Sequence, residues 1–256
     1  MNIKVKSQDQ IQTMHEGGRR HAEILRALSE MITPGMSALV LEEEALRLIK
    51  SGGDKPAHLN YTPHGAIRPF PAALCISVND EIVHGIPNEK EKIFNQGDIV
   101  SIDLSLTHKG LITDSAITVP VGAIDDESRK LLDVTKKALF AGIEKALPGG
   151  YIGDIGEAIS DVVEASSFSI AEDLAGHGVG FDIHEEPFVP NFGRAGEGDK
   201  LVPGMVIAIE PMVNIGGPEI RDTDDGYTIK TKDGSWSAHF EHTVAITEKG
   251  NIILTL

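Results

Sequence analysis

Two acidic residues, Asp103 and Asp114, lie in neighbouring segments that have the pattern of a β-hairpin turning at 108–110. Both arms are rich in β-branched residues, which is typical of strands. With a two-residue loop of His108-Lys109, Asp103 would face Asp114 directly, with Cβ atoms about 5 Å apart. Like charges at that distance destabilise a sheet, and a divalent cation between them would relieve the repulsion. The alternative is a solvated strand face that carries two unrelated acids.

Two further acids occur at apolar strand patterns in the second half of the chain. Glu210 follows the apolar run 206–209, and Glu241 lies within the strand pattern 238–246. A buried carboxylate without a partner is costly, so such positions usually supply a hydrogen-bonded, paired or metal-ligating group. Four acids within or at the ends of strands therefore favour a metal cluster over a solvated face.

The elements that must position these acids follow a repeated order. Three short motifs recur in sequence: Pro34-Gly35 and Pro148-Gly149, His84-Gly85 and His177-Gly178, and the glycine six residues before an acid at Gly97 to Asp103 and Gly204 to Glu210. Their unequal spacing requires loops of different length, and chance similarity is the alternative. The order predicts two helix-helix-strand-strand halves, about 8–120 and 126–250, related by a pseudo-twofold. With helices on one face of an antiparallel sheet, the fold class is α+β, in one domain over 1–256.

Four helices are predicted from capping residues and apolar periodicity. They run from the Ser7 capping box to about Ile32, from the Ser37 cap to about Ser51, from Asp126 to Leu147, and from about Ile152 to Ala165.

Composition excludes several classes of function. The chain has 256 residues and a formal net charge of −16, which argues against sequence-independent binding of nucleic acid and against an anionic membrane surface. Cys75 is the only cysteine, so no internal disulfide can form. The N-terminal residues do not have the pattern of a signal peptide, and no segment approaches the roughly 20 apolar residues of a membrane span. We expect a cytoplasmic protein.

Eight short segments together resemble the type I methionine aminopeptidases, of the pita-bread metallopeptidase fold. The segments are CISVN at 75–79, VHGIP at 83–87, GDIVSID at 97–103, TDS at 113–115, GHGVG at 176–180, HEEP at 184–187, IEPM at 209–212 and FEHT at 240–243. Each motif alone is weak, but all of them occur in order across nearly the whole chain. The resemblance implies removal of the N-terminal methionine from nascent chains with a small second residue, by a monomer.

The resemblance implies a dinuclear metal site with five protein ligands. Asp103 would hold one metal, His177 and Glu210 the other, and Asp114 and Glu241 would bridge both. One neutral and four anionic ligands suit Co, Mn, Fe or Zn. It further implies a monovalent cation near Asn79 and Ser237.

The resemblance also assigns catalytic roles. Glu210 would accept a proton from the attacking water, His84 would lie over the scissile amide, and His184 would donate to the carbonyl oxygen. The other histidines, His58, His64, His108, His239 and His242, are interpreted as structural or surface residues, although His64 lies in a loop that could reach the cleft.

The methionine pocket departs from the usual pattern of the family. It would be formed by Cys75, Phe70, Ile183 and Tyr227, where Phe70 replaces an expected tyrosine, Ile183 a phenylalanine and Tyr227 a tryptophan. The loop 61–71 also looks longer than usual. These changes bear on the selection of methionine rather than on the metal chemistry.

Two other functions fit the resemblance less well. An Xaa-Pro aminopeptidase or prolidase usually carries a separate N-terminal domain, for which the residues before Pro34 leave no room. A non-catalytic binding protein of this fold typically loses metal ligands, and all five are present here. The family's ribosome contact is expected to be weak, because the region 216–225 is acidic.

Overall fold

The structure is a computed structural model that describes residues 3–63 and 65–256, so His64 lies outside the described residues. The helices are α1 (Gln8–Met31), α2 (Ala38–Ser51), α3 (Asp126–Lys145) and α4 (Ile152–Glu164). The strands are β1 (Lys55–Pro56), β2 (Leu74–Val78), β3 (Glu81–Val83), β4 (Ile99–His108), β5 (Leu111–Pro120), β6 (Ser169–Ile170), β7 (Ala175–Gly178), β8 (Glu185–Pro190), β9 (Val206–Ile209), β10 (Met212–Asn214), β11 (Ile220–Asp222), β12 (Ile229–Thr231), β13 (Ser237–His239), β14 (Glu241–Thr247) and β15 (Gly250–Ile253).

All four predicted helices are present, and their starts agree with the predicted caps. Ser7 and Gln10 form the capping box of α1. The Ser37 side chain accepts a hydrogen bond from the backbone N–H of Leu39 at the start of α2. Helix α3 ends at Lys145, two residues earlier than predicted. The residue before a proline is disfavoured in helical geometry, and Leu147 directly precedes Pro148. No helix within the described ranges is long and apolar enough to cross a membrane.

The central sheet has nine strands, and every pair in it is antiparallel. Its order is β1-β4-β5-β14-β9-β7-β8, with β2 paired to β4 and β15 paired to β14. Helices α1 and α2 pack with β2 and β4 in one apolar cluster, and α3 and α4 pack with β9 and β14 in another. The α+β prediction is therefore confirmed.

Helix α1 lies very close to the backbone of Leu254, the residue that follows β15. A Cβ added at Gly18 would lie 2.0 Å from the carbonyl oxygen of Leu254. Only glycine permits this approach, which brings the helix against the strands that carry the acids.

The hairpin of β4 and β5 turns at Lys109-Gly110, so the predicted loop of His108-Lys109 is wrong. His108 pairs with Leu111, and the two turn residues have positive φ angles of 49° and 83°. Two-residue hairpin turns of this kind favour glycine at the second position, and Gly110 supplies it.

The corrected register changes how the two aspartates are related. Asp103 faces Ala116 and Asp114 faces Ser105, so the aspartates are diagonal neighbours on the same face rather than direct partners. Both side chains are buried, with residue exposures of 8% and 4%. The alternative of a solvated strand face is therefore excluded.

Candidate metal centre

Five side chains from separate strands converge at the middle of the central sheet. Asp103 lies on β4, Asp114 on β5, His177 on β7 and Glu241 at the start of β14, while Glu210 directly follows β9. Strand β14 pairs with β5 on one side and with β9 on the other. This pairing brings residues separated by more than 100 positions into one cluster.

The distances within the cluster are those of groups that can share a cation. The Nε2 atom of His177 lies 3.3 Å from Oε1 of Glu210 and 4.0 Å from Oδ2 of Asp114. Asp114, His177 and Glu241 each offer one ligand atom within 4.8 Å of the others. The sequence-predicted ligands are thus brought together, and their assignment to individual metals stays a prediction.

Three carboxylate oxygens of the cluster are buried without a hydrogen-bond partner among residues 3–63 and 65–256. They are Oδ1 of Asp103, Oδ1 of Asp114 and Oε1 of Glu241. Burial, together with repulsion from the neighbouring carboxylates, raises the pKa values of Asp103 and Glu241 well above their usual ranges. Burial also raises the pKa of Asp114, to about 6. Buried acceptors left without donors are the arrangement that a divalent cation would satisfy, so the residues fit such a group.

The His177 ring is oriented as expected of a metal ligand. Its Nδ1 lies 3.0 Å from the carbonyl oxygen of Gly178, to which Nδ1–H can donate, so Nε2 is aimed at the carboxylates. Burial opposes a charge on His177, but the hydrogen bond to Glu210 outweighs it and raises the pKa to about 9. Burial likewise disfavours the charge on Glu210, yet its contacts with His177 and His239 lower the pKa to about 2. A bound cation would displace the proton that lies between Nε2 of His177 and the Glu210 carboxylate.

His184 lies beside the cluster, and His84 lies close to it and is partly buried. The His184 ring is 4.5 Å from the ring of His177, and its Nδ1 is 3.0 Å from the hydroxyl of Tyr61. Burial and the nearby His177 lower the pKa of His184 to about 4, and burial lowers the pKa of His84. His84 adopts a φ of 59°, a left-handed conformation that side chains rarely occupy and that is often retained at functional sites.

A buried apolar cluster adjoins Asp103 and includes its cross-strand partner, Cys75. Phe70 and Cys75 pack together there, with the ring of Tyr227 5.1 Å from that of Phe70. Ile183 is also buried, with a residue exposure of 3%. The structure brings three of the four predicted pocket residues into direct contact. Whether they select methionine stays a prediction.

Three functional candidates were missed by the sequence analysis. His58, interpreted as structural or surface, is buried against Phe70, Ser105 and Cys75. Tyr61 contacts His184, and Nε2 of His239 is 3.4 Å from Oε2 of Glu210. The signal for His239 was present, because it lies two residues before Glu241 in a strand pattern. No local signal placed 58 and 61 at the site.

Asn79 and Ser237 lie together at the edge of the cluster's strands. The backbone N–H of Ser237 donates to the Asn79 carbonyl at 2.9 Å, and the Asn79 side chain contacts Asp98 and the backbone of Ile99. Their proposed role in holding a monovalent cation stays a prediction.

Comparisons with known proteins agree with this geometry. The sequence model of "Metallopeptidase family M24" matches residues 12–248. A methionine aminopeptidase of Aquifex aeolicus is 48% identical over 100% of this chain and 99% of its own, and methionine aminopeptidase 1 of Bacillus subtilis is 43% identical over 99% of each.

Solved structures give the same relationship. The crystal structure of the Thermotoga maritima methionine aminopeptidase superposes with a TM-score of 0.94 at 40% identity, covering 99% of both chains. A prolidase from Pyrococcus furiosus superposes with a TM-score of 0.76 at 23% identity, covering 98% of this chain and 65% of its own. At that identity the likeness shows the fold alone.

Proposed function

The chain belongs to metallopeptidase family M24 and, within it, to the methionine aminopeptidases of the pita-bread fold, and we propose that it removes N-terminal methionine through the carboxylate–histidine cluster. The observation that carries this proposal is the convergence of five ligand-type side chains with three unpartnered, buried carboxylate oxygens. A protein that only binds peptides would have no use for such a costly group.

The five ligands are assigned as the sequence suggested. Asp103 would hold one divalent ion, His177 and Glu210 a second, and Asp114 and Glu241 would bridge the two. The ions are Co, Mn, Fe or Zn, and a monovalent cation near Asn79 and Ser237 is a weaker proposal. When bound, such ions would make the attacking water more acidic and would stabilise the developing negative charge of the transition state.

The chain's own residues orient the substrate and move protons. Glu210 accepts the proton of the attacking water at a carboxylate oxygen. We assign the Tyr61 hydroxyl as the donor to Nδ1 of His184, 3.0 Å away, which leaves the ring hydrogen on Nε2, where it can donate to the carbonyl oxygen of the scissile bond. The lowered pKa of His184 keeps this ring neutral, so that it acts as a donor without a net charge. His84 is proposed to contact the amide, and Phe70, Cys75, Ile183 and Tyr227 the methionine side chain.

The wider proposals concern domain and partners. Residues 1–256 are proposed as one catalytic domain with a pseudo-repeat of about 8–120 and 126–250, supported by two helices followed by strands of the shared sheet in each half. A small second residue, a cytoplasmic location, a monomer and only weak ribosome contact through the acidic 216–225 region are proposed with it.

The first test compares peptides. Apo-protein given each divalent metal in turn should release methionine from Met-Ala-Ser, with a lower kcat/KM for Leu-Ala-Ser and no turnover of Xaa-Pro peptides. Since one methylene in an apolar pocket distinguishes side chains by only about 10–200-fold, the contrast must be measured as kcat/KM. Cleavage of Xaa-Pro peptides would favour the prolidase-like alternative. Tight binding of two ions without turnover on any peptide would favour a non-catalytic binding protein.

A second prediction tests His184 and the hydroxyl that orients it. We expect His184→Ala to lower kcat by about 10²–10³-fold, which is the usual cost of removing one oxyanion donor. Tyr61→Phe should lower kcat less, by roughly 10-fold. The His184 ring stays in place, but its Nδ1 loses the hydroxyl that fixes which ring nitrogen carries the hydrogen. Metal content by atomic spectroscopy should remain that of the parent protein in both variants. A loss of metal together with activity would contradict the proposed role of His184.

A further inference from the structure

A second group of ligand-type side chains lies on the pocket side of Asp103. His58, Cys75 and Asp103 each offer one ligand atom within 4.8 Å of the others, and all three residues are buried. The Cys75 sulfur is 4.0 Å from Nδ1 of His58. The group shares only Asp103 with the dinuclear cluster described above.

Strand pairing fixes the positions of the three residues. Cys75 on β2 is the direct partner of Asp103 on β4, so their side chains lie next to each other on one face of the sheet. The backbone N–H of Ala57 donates to the carbonyl of Ser105, two residues further along β4, and this bond brings His58 to the same face. A site built on paired strands is already organised before any ligand arrives.

The His58 ring is oriented by Ser105. Its Nε2 lies 2.8 Å from the hydroxyl oxygen of Ser105, which is the cross-strand partner of Asp114. We assign Nε2–H of His58 as the donor to the Ser105 hydroxyl. Nδ1 therefore keeps its lone pair, and the lone pair faces the thiol.

We propose that His58, Cys75 and Asp103 form an additional cation site that takes a thiolate-preferring divalent ion, of which Zn²⁺ is the commonest. Tetrahedral zinc with bonds of about 2.3 Å to sulfur and 2.0–2.1 Å to nitrogen places those two atoms roughly 3.6 Å apart. The observed 4.0 Å needs a closure of only a few tenths of an ångström. A third protein ligand comes from Asp103, whose Oδ1 is buried with no hydrogen-bond partner in the described part of the chain, and the fourth position is left for water.

Occupation of this site has a consequence for catalysis, which rests on the proposed function. An ion held by Cys75 and His58 would lie in the pocket proposed for the methionine side chain and would draw Asp103 away from the dinuclear pair. Zinc added beyond two equivalents should therefore raise KM and lower kcat for Met-Ala-Ser, by about 10-fold or more by analogy with disturbed metal partners.

Cobalt provides the direct test because Cys75 is the only cysteine of the chain. Apo-protein titrated with Co²⁺ should first show the visible bands of oxygen and nitrogen coordination, and then, beyond two equivalents, a sulfur-to-cobalt charge-transfer band in the near ultraviolet. Zn²⁺ should bleach that band in competition. Cys75→Ser and His58→Phe should both lose the band and the third equivalent while still binding two.

The control variant is Ser166→Ala, a buried hydroxyl in the loop after α4, far along the chain from the pocket. It should keep the full cobalt spectrum. Absence of the sulfur band in the parent protein at saturating cobalt, or a third equivalent that persists in both pocket variants, would overturn the proposal. Turnover of Met-Ala-Ser at two equivalents tests the proposed function separately, so the two failures are distinguishable.

Discussion

Replacing Glu241 by glutamine is expected to stabilise the metal-free protein and to abolish its activity. Glu241 is buried close to Asp103, Asp114 and Glu210, and all these acids act against its charge. The amide is uncharged in the folded and the unfolded protein, so folding no longer has to protonate this group or hold its charge beside the other acids, and the amide can donate to a neighbouring carboxylate. A gain on the order of 1 kcal/mol would raise the Tm of a chain this size by about 2–4 °C.

The same variant should lose the response to metal. In the parent protein, an ion at a thousand times its Kd stabilises the fold by about 4 kcal/mol, and the variant should show little of this gain. kcat/KM for Met-Ala-Ser should fall by more than about 10³-fold, beyond the 10–100-fold that outer partners of a metal cost. Differential scanning calorimetry with and without metal measures both effects. Glu248→Gln, an exposed acid on the turn after the same strand, is the matched control. A destabilised apo-protein in E241Q would contradict the interpretation of the cluster as mutually repelling.

Replacing Lys6 by methionine is expected to have the largest effect on stability. The Nζ of Lys6 is 2.6 Å from Oε2 of Glu185, and both side chains are 1% exposed. Removing one partner of a buried ion pair leaves the other charge unpaired, which costs about 3–5 kcal/mol. The other oxygen of Glu185 accepts the backbone N–H groups of Phe181 and Asp182, so the loop before His184 should loosen as well.

Urea denaturation and peptide kinetics together test this prediction. The midpoint of K6M should fall, and kcat should fall with it because His184 is held less firmly. Lys4→Met is the matched control, since Lys4 pairs with Asp182 at the surface, with side-chain exposures of 44% and 65%. Screened surface pairs contribute little, so K4M should resemble the parent. Equal losses in both variants would mean that burial of the Lys6 pair is unimportant.

Much of the fold could be predicted because local signals agreed with tertiary structure. Capping residues marked the helix starts, and alternation on 100–106 placed Asp103 on the face opposite the apolar residues of β4. The four acids of the cluster were singled out because each lies within or at the end of a strand pattern, whereas His177 was implied only by the resemblance to the family. Sequence motifs then gave the family that the comparisons show.

The remainder depended on facts that no short segment contains. The register of the β4–β5 hairpin depends on whether residue 110 belongs to the loop. Only the backbone φ angles of the turn decide that. The strand predicted over 238–246 is interrupted at Phe240, which separates β13 from β14 and lets each pair with a different neighbour. His58 and Tyr61 reach the site by long-range packing of an irregular segment, whose conformation has no periodic signal.

The pairing of Glu241 with Ala116 also determines when the protein can begin to work during its own synthesis. Glu241 is synthesised about 125 residues after Ala116, and Glu185 is synthesised long after its partner Lys6. Every nascent chain that ends before Glu241 lacks a bridging carboxylate and the central strand of the sheet. Contacts so distant in sequence form slowly. Activity should therefore arise in one late, cooperative step, with no partly competent product released from an interrupted translation.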